Sequence, residues 1–224
     1  MSIQLPAVKN AKPSPCGPAE QLDPRRYQKL APRFSEKAFD LRELVPDCNE
    51  FELEIGFGRG ASLLERARNN RSIALFGVEV KSKWVYKVHE RACSEKLHNI
   101  SVFCGDARKF LKLAGPDACL SRVFVHFPDP WWKKRHSKRR VIDAELLNDA
   151  HRVLKKGGDF FVQTDVQERA ELYAATFRAH PNYALLEVDG SEWLTSNPFA
   201  APSNRERRAE LDGLPVYRFI AKAL

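Results

Sequence analysis

Residues 51–61 read Phe51-Glu52-Leu53-Glu54-Ile55-Gly56-Phe57-Gly58-Arg59-Gly60-Ala61. Phe51 to Ile55 has strand character, Gly56 closes the strand, and a helix is predicted from Ala61 to Arg68 with Leu63, Leu64 and Ala67 on one face. A strand, a glycine turn and a helix in succession begin a wound α/β sheet. The downstream chain repeats that alternation. Ala74 to Val80 is a continuous apolar run interrupted only by Glu79, as suits a buried parallel strand. A helix follows with Val85, Val88 and Ala92 at helical spacing, then a third strand over Ile100–Cys104 and a fourth over Arg122–Phe127.

Ile142, Leu146, Leu147, Ala150, Val153 and Leu154 recur at the 3.6-residue period and predict a further helix. Lys155-Lys156-Gly157-Gly158 reads as its end, with cations at the negative pole and glycine past the last turn. A fifth strand is predicted over Asp159–Thr164, and a helix carrying Val166, Ala170, Tyr173, Ala174 and Phe177. Tyr183–Val188 and Val216–Lys222 complete the pattern as two strands without a helix between them, suited to antiparallel pairing at a sheet edge. Upstream, Pro6, Pro13, Pro15, Pro18 and Pro24 make residues 1–24 an expected flexible tail, because so little apolar surface cannot offset the entropy of ordering. Residues 25–224 then form one domain, whose first part, with Tyr27, Leu30, Phe34, Phe39, Leu41 and Leu44, packs as a short helix and loop.

The 224 residues carry 37 Lys plus Arg against 29 Asp plus Glu, a formal charge of +8, and 43% are hydrophobic. No stretch approaches the roughly 18 apolar residues of a membrane span, and the polar, proline-rich start lacks the apolar segment of a secretory signal. Five cysteines (16, 48, 93, 104, 119) without a C-x-x-C pair, and six histidines without metal-ligand spacing, predict reduced thiols and no metal site. The expected location is cytoplasmic. Much of the positive charge is concentrated: residues 133–140 hold six Lys or Arg in eight. Such a run is commonly a solvated face, so what precedes it matters.

Gly56, Gly58 and Gly60 at a strand-to-helix turn let backbone approach a ligand, and they also satisfy a loose dinucleotide pattern. Glu54, two residues before the turn, repels a pyrophosphate but suits the ammonium and sulfonium of S-adenosyl-L-methionine. Glu79, 25 positions later, can accept from two ribose hydroxyls, and Asp106 after the third strand adds an acceptor for an adenine amino group. Each acid alone reads more readily as a helix cap or a solvated turn residue. All three fall at carboxyl ends of successive strands, where open α/β sheets bind ligands. The fourth strand runs into Pro128-Asp129-Pro130-Trp131-Trp132, so that a stiffly held acid, a flat aromatic face and a phosphate-binding cluster follow in order. That succession suits a nucleic acid.

Glu54–Gly60, Gly77-Val78-Glu79, Gly105-Asp106-Ala107 and above all Phe127-Pro128-Asp129-Pro130-Trp131-Trp132-Lys133-Lys134-Arg135-His136-Ser137-Lys138-Arg139-Arg140 resemble the tRNA (guanine-N7-)-methyltransferase family. The resemblance covers roughly residues 50–224. It implies a seven-stranded, mostly parallel Rossmann-like class I methyltransferase fold with helices on both faces and an antiparallel edge strand. It also implies S-adenosyl-L-methionine as cofactor and methylation of N7 of guanine 46 in the variable loop of tRNA, by a monomer or homodimer.

By motif position the resemblance assigns cofactor contacts to Glu54, the glycine turn, Glu79, Asp106, Ala107 and Asp129, the last also catalytic. It assigns tRNA contacts to Lys133 and Asp165. Ser203-Asn204-Arg205-Glu206 occupies the place of the family's Thr-x-x-Glu, with Arg205 where an aromatic is usual, and makes Ser203 and Glu206 substrate contacts. Lys134, Arg135, Lys138, Arg139 and Arg140 are expected phosphate contacts. Three other readings stay open on the residues alone: a methyltransferase for exocyclic amino groups of nucleic acids, a nicotinamide dehydrogenase, and a noncatalytic RNA-binding module on a methyltransferase fold.

Overall fold

Alternating apolar and charged residues in Phe51-Glu52-Leu53-Glu54-Ile55 give the central strand two unlike faces, and the sheet is organised around that difference. The computed structural model describes residues 23–128 and 141–224. Its elements are α1 (Pro24–Leu30), β1 (Phe39–Asp40), α2 (Leu41–Leu44), β2 (Glu50–Ile55), α3 (Ala61–Asn69), β3 (Ile73–Glu79), α4 (Ser82–Ser94), β4 (Ile100–Cys104), α5 (Ala107–Leu113), β5 (Ala114–Gly115), β6 (Leu120–His126), α6 (Ala144–Val153), β7 (Leu154–Thr164), α7 (Gln167–Arg178), β8 (Tyr183–Leu185), α8 (Asn204–Leu211) and β9 (Tyr217–Ala223). The expected tail lies outside the described residues except for its last two, and Pro24 already opens α1.

Seven strands form one sheet in the order β4-β3-β2-β6-β7-β9-β8. β4, β3, β2, β6 and β7 are parallel, and β9 runs antiparallel to both β7 and β8. The chain winds outward from β2 to β4 and then returns to place β6 on the other side of β2. The carboxyl ends of β2 and β6 therefore flank the topological switch point, where open α/β sheets hold ligands.

One sheet face is apolar from end to end. Phe51, Leu53, Ile55, Phe76, Val78, Val123, Val125, Phe160, Val162 and Phe219 pack there with Leu146 and Leu147 of α6 and Phe177 of α7. Each such side chain, fully buried, contributes about 1.5–3 kcal/mol. The opposite face is apolar under α3 and α4, where Leu63, Leu64, Val85 and Val88 meet Leu75. Across the centre it changes character. Glu52, Arg122, Asp159 and Lys222 stand side by side on four neighbouring strands. Arg122 donates to Glu52 (2.5 Å) and Asp159 (3.1 Å), and Lys222 pairs with Asp159. Arg66 of α3 forks onto Glu52 from above.

The segment between β8 and α8 closes this charged row. Phe199 lies against both guanidinium groups, 5.4 Å from Arg66 and from Arg122, and its carbonyl accepts from Arg66. Its ring meets Phe124 and Phe161 edge-on at 5.0 and 5.1 Å. The ion row thus fastens the segment that leads to Ser203 and α8.

Three local expectations are corrected. Lys155–Gly158 does not end α6: Leu154 is already extended (ψ 139) and pairs with Leu120, so the two lysines and two glycines belong to β7. α6 starts at Ala144 rather than Ile142 because Asp143 caps it, accepting from the Leu146 amide. The last two strands do pair antiparallel, but α8 stands between them, and the first of them is only Tyr183–Leu185. The strand expected to reach Val188 ends at Leu185; the Leu186 amide still donates to the Ile220 carbonyl (2.8 Å), and its side chain packs with Phe124 and Phe161.

Candidate functional site

A cavity of about 430 Å³ opens at the carboxyl ends of β2, β3, β4 and β6. Glu54, Gly56, Gly58, Glu79, Asp106 and Ala107 all line it, so the structure gathers six of the expected cofactor residues around one space. Gly58 has φ +53 with nothing within 4 Å of where a Cβ would stand. Its N–H donates to Glu79 Oε2 at 3.1 Å, while the Lys81 N–H donates to Oε1 at 2.9 Å. Two backbone amides thereby fix the carboxylate plane and leave each oxygen a further lone pair. Gly60 is different. It does not line the cavity; with φ +69, and Val88 Cγ2 2.5 Å from an added Cβ, it serves the close approach of the turn to α4.

Glu54 is buried at the end of β2, and its Oε1 lies 3.1 Å from His126 Nδ1. His126 is a cavity residue that the sequence reading missed, since it sits inside an apolar strand where a histidine carries no distinctive pattern. Its Nε2 is buried and has no partner among the described residues. Asp106 caps α5, accepting from the Arg108 amide at 2.7 Å, and remains exposed beside the cavity. Cap and wall residue are therefore one and the same.

Phe127 and Pro128 line the cavity where β6 ends. Phe127 has φ +47, a left-handed conformation unusual for a bulky side chain, and its N–H donates to the Gln163 carbonyl at 2.8 Å. The chain is thus turned sharply at the cavity edge just before Asp129. Asp129, Lys133, Lys134, Arg135, Lys138, Arg139 and Arg140 lie outside the described residues.

Ser203, Asn204 and Arg205 form the far wall. Arg205 is ion-paired with Asp165, which does not itself line the cavity. Ser203 accepts from the Glu206 amide and Glu206 returns the bond to the Ser203 N–H, a reciprocal cap on α8. Glu206, expected as a substrate contact, is held by internal hydrogen bonds here. Its carboxylate, 1% exposed, also accepts from Gln163 (2.9 Å) and Asn197 (3.1 Å) at Oε2, beside the Ser203 N–H, and from Arg218 (3.0 Å) at Oε1. It faces a second, open cavity of about 420 Å³ with Asn197 and Arg218.

Burial pushes the Glu206 carboxyl up, but hydrogen bonds from Gln163, Arg218 and Asn197 and the charge of Arg218 outweigh it, so the group titrates below the usual carboxylate range. A folded value below the unfolded one means that Glu206 stabilises the fold above the ordinary carboxylate range and loses that contribution as falling pH protonates it. Glu206→Gln is expected to lower stability at neutral pH by about 1.5–3 kcal/mol and to flatten the acid limb. Urea midpoints measured against pH check this; an acid limb as steep as that of the unsubstituted protein counts against it.

A family model described as putative methyltransferase matches residues 49–219. A protein of Shewanella amazonensis named tRNA (guanine-N(7)-)-methyltransferase is 39% identical over 150 residues, covering 67% of this chain and 63% of that protein. A relative of the same name from Microcystis aeruginosa is 34% identical over 183 residues, covering 80% and 86% respectively. Among solved structures, one described as an antibiotic-related methyltransferase superposes with a TM-score of 0.61 at 15% identity, over 84% of this chain and 98% of that one, a likeness of fold alone. With the charged cavity at the switch point, and relatives above 30% identity along most of its length, this chain belongs to the tRNA (guanine-N(7)-)-methyltransferase family.

Proposed function

We propose that the protein transfers a methyl group from S-adenosyl-L-methionine to N7 of guanine 46 in the variable loop of tRNA. One observation carries the reading. Three carboxylates from the ends of β2, β3 and β4 surround a single cavity, and the Phe127–Arg140 signature leaves from its rim. The donor set fits the cofactor: Glu79 keeps free acceptor sites for ribose hydroxyls, the Gly58 turn admits close approach, and buried Glu54 offers negative charge to an ammonium group. Asp106, on the cavity wall, is assigned to accept from an adenine amino group. When bound, the sulfonium supplies an electrophilic methyl.

Guanine N7 has a lone pair and no proton, so its attack requires no general base. Rate then depends on alignment, which supplies roughly 7–11 kcal/mol in well-oriented cases. Asp129 is assigned to hold the purine in line and to favour the positive charge that grows on its imidazole ring. Asp165 and Ser203 are assigned to the base edge. Asp165 acts together with Arg205, and Glu206, occupied by its internal bonds, holds Ser203 in place. Lys133, Lys134, Arg135, Lys138, Arg139 and Arg140 bind phosphates and supply affinity rather than base choice.

The test is incubation with an unmodified tRNA transcript and methyl-labelled donor, followed by nucleoside analysis. Label is expected in 7-methylguanosine and is expected to vanish when guanine 46 is replaced by adenine. Label in a nucleoside methylated on an amino group would overturn the reading. Asp129→Ala should lower methyl transfer about 100-fold, as expected when a group acting on developing charge is removed, while tRNA affinity stays within about twofold. Turnover near that of the unsubstituted enzyme removes Asp129 from the mechanism.

A further inference from the structure

Four cations gather on one side of the cavity mouth. Arg59 and Lys81 line the cavity; Lys83 and Lys87 continue along the exposed side of α4, one helical turn apart. Among the described residues none of the four makes an ion pair. At the other end of the same helix Arg91 is paired with Glu95, which Arg68 shares. The half-buried indole of Trp84 is at the centre: Arg59 lies 5.2 Å from its ring centroid, Lys83 5.6 Å and Lys87 6.0 Å.

Such an arrangement works against the stability of the free protein. Like charges four residues apart on a helix repel. The first turn of α4 contains no acid, so Lys81 and Lys83 stand at the positive pole of the helix dipole. Cation–π contact with one ring compensates only in part. A polyanion laid over the patch removes the repulsion and finds, in the same place, an aromatic face for a base or ribose.

We infer that Trp84, Lys83 and Lys87, together with the cavity-wall cations Arg59 and Lys81, form a second RNA-contacting surface, on the β3–α4 side of the cavity. It takes phosphates of the substrate tRNA strand and stacks one of its nucleotides. The inference rests on the tRNA substrate proposed above and adds a track on the opposite side of the cavity from Ser203 and α8. A strand crossing the mouth is then held on both sides of the guanine that enters, which limits the slippage of the target base relative to the methyl group.

The test uses the full chain, with Trp84→Ala and the double variant Lys83→Gln/Lys87→Gln, positions that do not themselves line the cavity. Affinity for an unmodified tRNA transcript is measured at several salt concentrations, with affinity for S-adenosylhomocysteine as the measure of an intact cavity. The double variant should bind tRNA about five- to tenfold more weakly at low salt, and its log–log salt slope should shrink by about 1–2, near 0.7–0.9 for each lost phosphate contact. Trp84→Ala should weaken tRNA binding at least about fivefold, as stacked aromatics do. S-adenosylhomocysteine affinity should not change. Unaltered tRNA affinity and slope in both variants overturn the surface, as does a loss of S-adenosylhomocysteine binding, which would assign these cations to the cofactor cavity. An unsubstituted protein that methylates no tRNA sinks the functional reading instead, so the two failures are separable.

Discussion

Glu52→Ala is expected to destabilise the fold by about 3–5 kcal/mol, the cost of stripping one partner from a buried ionic cluster. Glu52 is 0% exposed and accepts from Arg66 through two nitrogens and from Arg122 through one. Alanine leaves the Arg66 guanidinium, itself buried, with only the Phe199 carbonyl and the faces of Phe124 and Phe199. Arg122 retains Asp159 and Glu50 and suffers less. The damage should spread along the chain, because Phe199 is held between the two guanidinium groups and leads into the Ser203 cap. Glu52→Gln keeps the shape and one acceptor, so it should cost less than alanine and provides a foldable check if alanine does not accumulate. Urea unfolding of both variants decides: a loss below about 1 kcal/mol for Glu52→Ala would show that the row is a bystander.

Glu52 also illustrates what the chain discloses when read as text. The alternation of Phe51, Leu53 and Ile55 with acids predicts a strand with one polar face, and that strand is present. That the polar face continues as Arg122, Asp159 and Lys222 cannot be read locally, because the partners lie 70 to 170 positions away and meet only through register. α8 was hidden for a different reason. Asn204–Leu211 buries only Glu206 and Ala209, so it has no apolar stripe to betray a helix. Ser203 followed three residues later by Glu206 matches a substrate motif in the sequence, and the structure gives the same pair a capping box. α5 is only seven residues long, too short for periodicity to declare itself, although Asp106, whose sequence context admits a helix cap, does cap it. Carboxylates placed at strand ends were legible because strand–turn spacing is local. His126, Gln163 and Arg218, whose importance comes from neighbours across the sheet, were not.

The other large effect is expected at Glu79. Glu79→Gln retains the length of the side chain but replaces one carboxylate oxygen with an NH₂ group. In the native arrangement both oxygens accept backbone amides, from Gly58 and Lys81. With glutamine, one amide must face another donor, so the turn that carries Gly58 loses an anchor. The charged acceptor proposed above for the ribose is lost at the same time. Hydrogen bonds to a charged group contribute about 1.5–3 kcal/mol each, and losing two corresponds to a fall in S-adenosylhomocysteine affinity of roughly 10²- to 10⁴-fold. Glu79→Asp keeps the charge but is shorter by a methylene, too short to reach both amides and a ligand, and should recover only a small part of that loss. Because Glu79 is assigned above to the cofactor, tRNA affinity should remain close to that of the unsubstituted protein. Calorimetric titration with S-adenosylhomocysteine, alongside tRNA binding, separates the outcomes. Equal weakening of both ligands means a collapsed turn rather than a lost contact, and undiminished S-adenosylhomocysteine binding removes Glu79 from the cofactor site.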